Sequence, residues 1–314
     1  MTDKERYKIL CTKELSIPLY SRDWWLDCVC GESKWDVLLY YKGEAIEAAM
    51  PFYSPGKSIV TMPAFTQTLG IWFNPETENP RYSKNLFRKQ QICKYFIEHL
   101  PKHDYFLQNF HYSFTDWLPF YWAGYRQTTR YTYILPDIGN MEAIEKNLGR
   151  SIQESLRCAK DKYRLEVKKA VPVDLFMQIN AQTYSRQNKK AYHPEMLKKL
   201  IETSRLRNQG DIWGAFDAAG RLHAAVFIVW QENCAYYLAG GSDIELRRSG
   251  GQALSLLEAI RDVSKVSASF DFEGSMISGV EFFFREFGAK QMPYFVISKG
   301  KMNLLDRLKL KLSI

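Results

Sequence analysis

Two runs of apolar residues, each broken by a glycine turn, have the same shape although they lie in different halves of the chain. Residues 35–42 lead through Gly43 into residues 45–52, and residues 211–216 lead through Gly220 into residues 222–228. Each pattern predicts strand, tight turn, strand. Farther on, Phe106, Gly124 and Tyr131 line up with Phe270, Gly288 and Phe295, each pair separated by 164 residues. The hairpins are 175 apart, as Asp36 is from Asp211, so the first half carries about 11 extra residues, placed in the Pro-, Thr- and Asn-rich stretch 54–80. This pattern predicts an internal duplication of a mixed α/β unit. The joint falls at residues 135–140, where Asn140 is placed to cap a helix starting at Met141. The expected domains are therefore 1–137 and 138–314. A helix is expected near 150–162, followed by a strand near 163–169. Ala253, Leu256, Leu257, Ile260 and Val263 recur at helical spacing, as do Ile277, Val280, Phe283, Phe284 and Phe287, which predicts two helices with one buried face each.

Composition narrows the class. With 46% hydrophobic and 25% charged residues, the chain has the make-up of a soluble globular protein, and no apolar stretch approaches the roughly 18 residues of a membrane span. The first six residues are largely charged or polar and no apolar leader follows, which places the expected location in the cytoplasm. Six scattered cysteines fit reduced thiols there. Cys28 and Cys30 lack a second Cys/His pair at metal-ligand spacing, so they are expected to be core cysteines on a helix, and no metal is called for. The net charge of +8 is local. Residues 146–169 carry eight cations against three carboxylates, and residues 299–314 carry five against one. Such clustering points to an anionic ligand or surface.

The turn 247–253 is the strongest local candidate. Arg247, Arg248, Ser249, Gly250, Gly251, Gln252 and Ala253 follow a strand-like run and open the first of the two amphipathic helices. Glycines admit close backbone approach, and the free N–H groups of a new helix face an anion.

In that setting, Arg248 to Ala253 resemble the R/Q-x-x-G-x-G/A signature with which GNAT-fold acyltransferases hold the pyrophosphate of coenzyme A. Residues 270–275 and 279–289 resemble the late strand and helix of the FemAB-like and BioF2-like acyltransferases. With the duplication, the resemblance covers most of the chain and is stronger in the second half. It implies two tandem GNAT-like domains and transfer of an acyl group to an amine, with a backbone N–H at a splayed strand holding the oxyanion. Acyl-CoA, such as acetyl-CoA, is the expected donor. The acceptor would be an amine of a small molecule or a cell-envelope precursor. Two alternatives stay open: a Fem-type transferase that uses aminoacyl-tRNA to build peptidoglycan bridges, and a non-catalytic scaffold for an anionic envelope precursor. The first half has Asn85-Leu86-Phe87-Arg88-Lys89-Gln90 where the turn would be, so it is expected to shape the acceptor site and not to hold coenzyme.

The resemblance also directs attention to single residues. An ammonium must lose a proton before attack. Asp271 and Glu273 alternate along an expected strand, so both carboxylates would project to one face, unless one caps a helix or pairs with an arginine. Tyr236 and Tyr237 lie where GNAT enzymes place the acid that protonates the leaving group, and only one of two strand neighbours can face the site. Phe284 and Arg285 match a Phe-Lys pair facing the donor in Fem-like proteins, with arginine in place of lysine. Arg157 belongs to a basic helix of Arg150, Lys160 and Arg164, and Tyr184 and Arg186 precede an acceptor-side loop holding His193. The basic, leucine-rich tail could rest on an anionic membrane surface.

Overall fold

The structure, a computed structural model, describes residues 1–185 and 190–302. The first half begins with α1 (Asp3–Lys13), closed by a capping box between Thr2 and Glu5, and α2 (Asp23–Cys30). The expected hairpin follows as β1 (Trp35–Lys42) and β2 (Ala45–Gly56), with Asp36 opposite Phe52. Next come β3 (Ile59–Thr61), β4 (Trp72–Phe73), α3 (Tyr82–His99), β5 (Tyr105–Asn109), α4 (Leu118–Trp122) and β6 (Arg126–Leu135). The stretch 85–90 lies inside α3, so no glycine turn opens that helix.

The second half starts with α5 (Met141–Lys146), whose Ala143 N–H donates to Asn140 Oδ1 at 3.0 Å, as expected of the cap. α6 (Arg150–Arg157) runs into a π-turn over Cys158–Lys162 and then β7 (Glu166–Lys169). α7 (Val173–Ser185) and α8 (Pro194–Leu206) precede the second hairpin, β8 (Gly210–Phe216) and β9 (Leu222–Trp230). β10 (Cys234–Ser242), α9 (Gly251–Val263), β11 (Ser269–Asp271), α10 (Ser278–Arg285) and β12 (Lys290–Gly300) complete it.

These elements form two compact units that do not follow the halves of the sequence. One holds Met1–Arg130 with the described residues from Pro293, the other Tyr131–Met292, so the division runs through β6 and β12 and not between 137 and 138. Strand pairing is the physical reason. In the first unit the sheet order is β1-β2-β3-β5-β12, with β4 on β2, and β12 pairs β5 with Val296 opposite Asn109. In the second the order is β6-β11-β10-β9-β8-β7, and β6 pairs β11 with Leu135 opposite Phe270. Each sheet is thus completed by the last strand of the other half of the sequence.

Each unit buries its own core. Phe96, Phe106, Phe110, Phe120 and Ile297 are fully buried in the first. In the second, Ala253, Leu256, Leu257, Ile260 and Val263 are all buried, as the α9 stripe predicts. The α10 stripe holds only at its end. Phe284 and Phe287 are buried, Phe283 is partly so, but Ile277 and Val280 are exposed because only the last turn of α10 reaches the core. Cys28 and Cys30 are buried free thiols on α2. Among the described residues no helix is long and apolar enough to cross a membrane, and no cluster of His, Cys, Asp and Glu is arranged to hold a metal. The basic tail beyond residue 302 lies outside the described residues.

Candidate active site

β10 and β11 run parallel, and their pairing stops early. Cys234, Ala235 and Tyr236 face Ser269, Phe270 and Asp271, after which β11 ends while β10 continues to Ser242. On its other edge β10 keeps β9 as partner to Ser242, with a register shift between Tyr237 and Ala239. Such a bulge bends the strand and re-aims its side chains. A wedge therefore opens at the carboxyl ends of two adjacent parallel strands, the general location of ligand sites in such sheets. Main-chain groups of β10 beyond Tyr236 border it without a β11 partner.

Register sorts the candidate residues. Tyr236 and Asp271 are partners, so their side chains share one face, and Tyr237 takes the other. Tyr236 is 3% exposed and belongs to the core. Tyr237 packs edge-on against Phe284 at 6.1 Å, and its hydroxyl accepts from Gln252 Nε2 at 2.6 Å. Gln252 Oε1 in turn accepts from Ser242 Oγ at 3.0 Å. Burial pushes the Tyr237 phenol well above its usual pKa, with the nearby Tyr184 hydroxyl adding to it. A Cβ at Gly240 would run into the Tyr237 hydroxyl, so that glycine makes the room this phenol occupies.

Asp271 is 1% exposed. Its Oδ1 accepts from Thr132 Oγ1 and from the Glu273 N–H at 2.7 Å, while Oδ2 is buried with no hydrogen-bond partner among the described residues. Burial raises its pKa to about 7, against the opposing pull of those two donors. Glu273 departs from the alternation expected of a strand. β11 ends at Asp271, and Glu273 has φ +61°, so the two carboxylates are not same-face neighbours on a strand. Instead the Asp271 side chain folds forward onto the Glu273 N–H. Burial raises the Glu273 carboxyl pKa well above its usual value.

The glycine turn forms as expected at the start of α9, and packing supplies its first physical reason. Gly250 has φ +80°, and a Cβ there would meet the carbonyl oxygen of Ser155. α6 lies against the turn at this point, with Cys158 Sγ 3.6 Å from the Arg248 carbonyl oxygen. Gly251 N–H donates to the buried Ser249 Oγ at 3.3 Å, and Ala253 is buried in the core. Gln252 turns to Tyr237, away from the role of anion donor. Arg247 and Arg248 are exposed and have no carboxylate partner among the described residues. Arg157 is likewise exposed and ends α6, one residue before Cys158.

Other candidates are dispersed. Phe284 is a core residue, 4% exposed, 5.1 Å from the Phe272 ring and 6.5 Å from Tyr133. Arg285 is exposed, pairs with Glu281 at 3.5 Å and lies over the Phe282 ring. Tyr184 is half-buried at the end of α7. Arg186 lies outside the described residues. Sequence reasoning missed Thr132, Ser242 and Asn180, whose Nδ2 donates to the Gly240 carbonyl at 2.8 Å. No local signal marks them, because each is defined by a partner distant in sequence.

Residues 144–276 match a family model described as an acetyltransferase (GNAT) domain. The turn, the wedge and both carboxylates lie inside that span. No curated protein matches the sequence. Among solved structures, a crystal structure of FemX superposes with TM-score 0.70 at 10% identity, covering 94% of this chain and 96% of that one. The C-terminal domain of a putative lysylphosphatidylglycerol synthetase from Agrobacterium fabrum gives 0.57 at 13% identity, covering 99% and 95%. L-PGS from Bacillus licheniformis gives 0.53 at 12%, covering 98% and 96%. Residues 144–276 of the chain thus match a GNAT-type acetyltransferase domain. The fold of the whole chain is that of FemX.

Proposed function

We propose that the protein moves an acyl group from an activated carrier onto an amine, with the chemistry at the opening between β10 and β11. The parting of those strands after Tyr236 and Asp271, inside the matched domain, carries the reading. The amine nitrogen attacks the acyl carbonyl, and main-chain N–H groups of β10 beyond Tyr236 stabilise the oxyanion. The ammonium proton passes by relay to Asp271, since its carboxyl titrates near neutrality yet is too buried to touch the substrate. As the carbon–carrier bond breaks, the Tyr237 hydroxyl gives its proton to the leaving group, its oxygen held by Gln252.

Acyl-CoA is the donor this reading puts first, with Arg247, Arg248 and the first turn of α9 holding its phosphates. Calorimetric titration with acetyl-CoA tests it. Wild type should bind, and replacing both arginines with alanine should weaken binding at least about tenfold, since charge-assisted hydrogen bonds are lost. Unchanged affinity removes the turn from the donor site.

A specific observation favours a second donor, aminoacyl-tRNA. α6 packs onto the glycine turn, so the exposed Arg157, Arg247 and Arg248 lie on adjoining elements, more cations than a single pyrophosphate requires. This reading expects tRNA binding that falls steeply with added salt. The acceptor on either reading is an amine of a small molecule or an envelope precursor, reached from the cytoplasmic side.

A further inference from the structure

The duplication allows one unit to be compared with the other. α3 and α4 correspond to α9 and α10. In the second unit the space between that helix pair is crossed by α6. Its Ser155 carbonyl abuts Gly250 at the start of α9, Gly149 N–H donates to the Glu286 carbonyl at 2.7 Å beyond α10, and Ile152 joins the core. In the first unit the corresponding space is a cavity of about 330 Å³ between α3, β4 and residues 113–118. Small-molecule sites begin at about 300 Å³.

The lining specifies the ligand. Phe73 and the buried Phe114 stand parallel, 6.4 Å apart, with Lys89 Nζ over the Phe73 ring at 5.4 Å, and the open aromatic face is that of Tyr82 at the rim, 78% exposed. Gln90 and Thr115 add an amide oxygen and a hydroxyl, whereas Asn85 is held by Arg88, whose Nε and Nη2 donate to its Oδ1 at 3.3 and 3.1 Å. The charged groups balance and are already engaged. Lys89 pairs with Glu78 at 2.6 Å, and Asp116 accepts from Gln90 Nε2 at 2.8 Å and the Leu118 N–H at 3.1 Å. Arg88 is committed to Glu47 at 2.8 Å. Among the described residues an anion finds no spare cation here, and an ammonium meets a carboxylate that two donors already occupy.

We propose that this cavity binds a neutral, hydroxyl-bearing ring of single-sugar size, its apolar face on the Tyr82 ring and its hydroxyls on Gln90 and Thr115. Saturation-transfer NMR on the full chain, with methyl β-D-glucopyranoside as probe, reads this directly. Wild type should show transfer to the probe, and Tyr82→Ala and Thr115→Trp should each cut it by about threefold or more, as loss of an aromatic contact or of the space predicts. Both positions are exposed, and unchanged thermal unfolding midpoints would show that the fold is kept. No transfer to wild type, or equal transfer to wild type and both variants, overturns the proposal. Neither result depends on donor binding by the second unit, so this inference and the proposed activity fail separately.

Discussion

Both hydrogen bonds to the Asp271 carboxyl end on Oδ1, which leaves Oδ2 as the oxygen that carries a proton. The folded pKa is about 7 against an ordinary 3.8, so the folded state holds a proton that the unfolded chain has released. Stability therefore falls as pH rises between those two values, by up to ~1.4 kcal/mol per unit, and levels off above 7. Asp271→Asn keeps an acceptor for Thr132 and removes the charge. It should unfold at a higher temperature than wild type at pH 8 and show little gain at pH 4, while losing most transferase activity. Wild-type kcat should rise through pH 7 as the carboxylate forms. Equal melting shifts at both pH values would exclude charge burial as the cause. At Tyr237, replacement by Phe should lower kcat by about 10²-fold with donor affinity unchanged, because a general acid acts in the transition state.

At the scale of elements, the contact between α6 and the start of α9 decides how the glycine turn is read. Gly250→Ala would place a side chain at φ +80° and against a main-chain carbonyl. Strain of this kind costs about 1–3 kcal/mol, and urea unfolding should show a loss at least that large. If the variant were as stable as wild type, α6 would not be held there. The helical and hairpin patterns were legible in the sequence because each lies within one element: the α9 stripe, both hairpins and the Asn140 cap all form as expected. The Asp271–Glu273 alternation was not, because it assumed a strand that stops at Asp271 and a chain that then turns to positive φ. The glycine motif shows a subtler limit. A glycine needed for close approach looks the same in sequence whether a phosphate or a neighbouring helix makes that approach.

At the scale of the molecule, the duplication was legible, but the exchange of final strands was not, since pairing partners leave no mark on the spacing of apolar residues. Neither β5 with β12 nor β6 with β11 joins elements of the same repeat. A chain ending at Met292 should therefore keep amide protection in β8, β9 and β10 and lose it in β3 and β5, measured by hydrogen exchange. Protection in β5 equal to that of the full chain would show that β12 is dispensable.

That exchange sets an order of events during synthesis. β5 emerges from the ribosome with Asn109, but the strand that covers its edge, with Val296 opposite, follows on the order of 10–40 s later at ordinary elongation rates. Through that interval the first unit carries an open sheet edge, the kind of surface that pairs with other chains. The second unit has all its strands once Met292 is made. The half translated first is thus the last to close, and slow elongation or crowded ribosomes should cause aggregation through β5 before any part of the second unit is at risk.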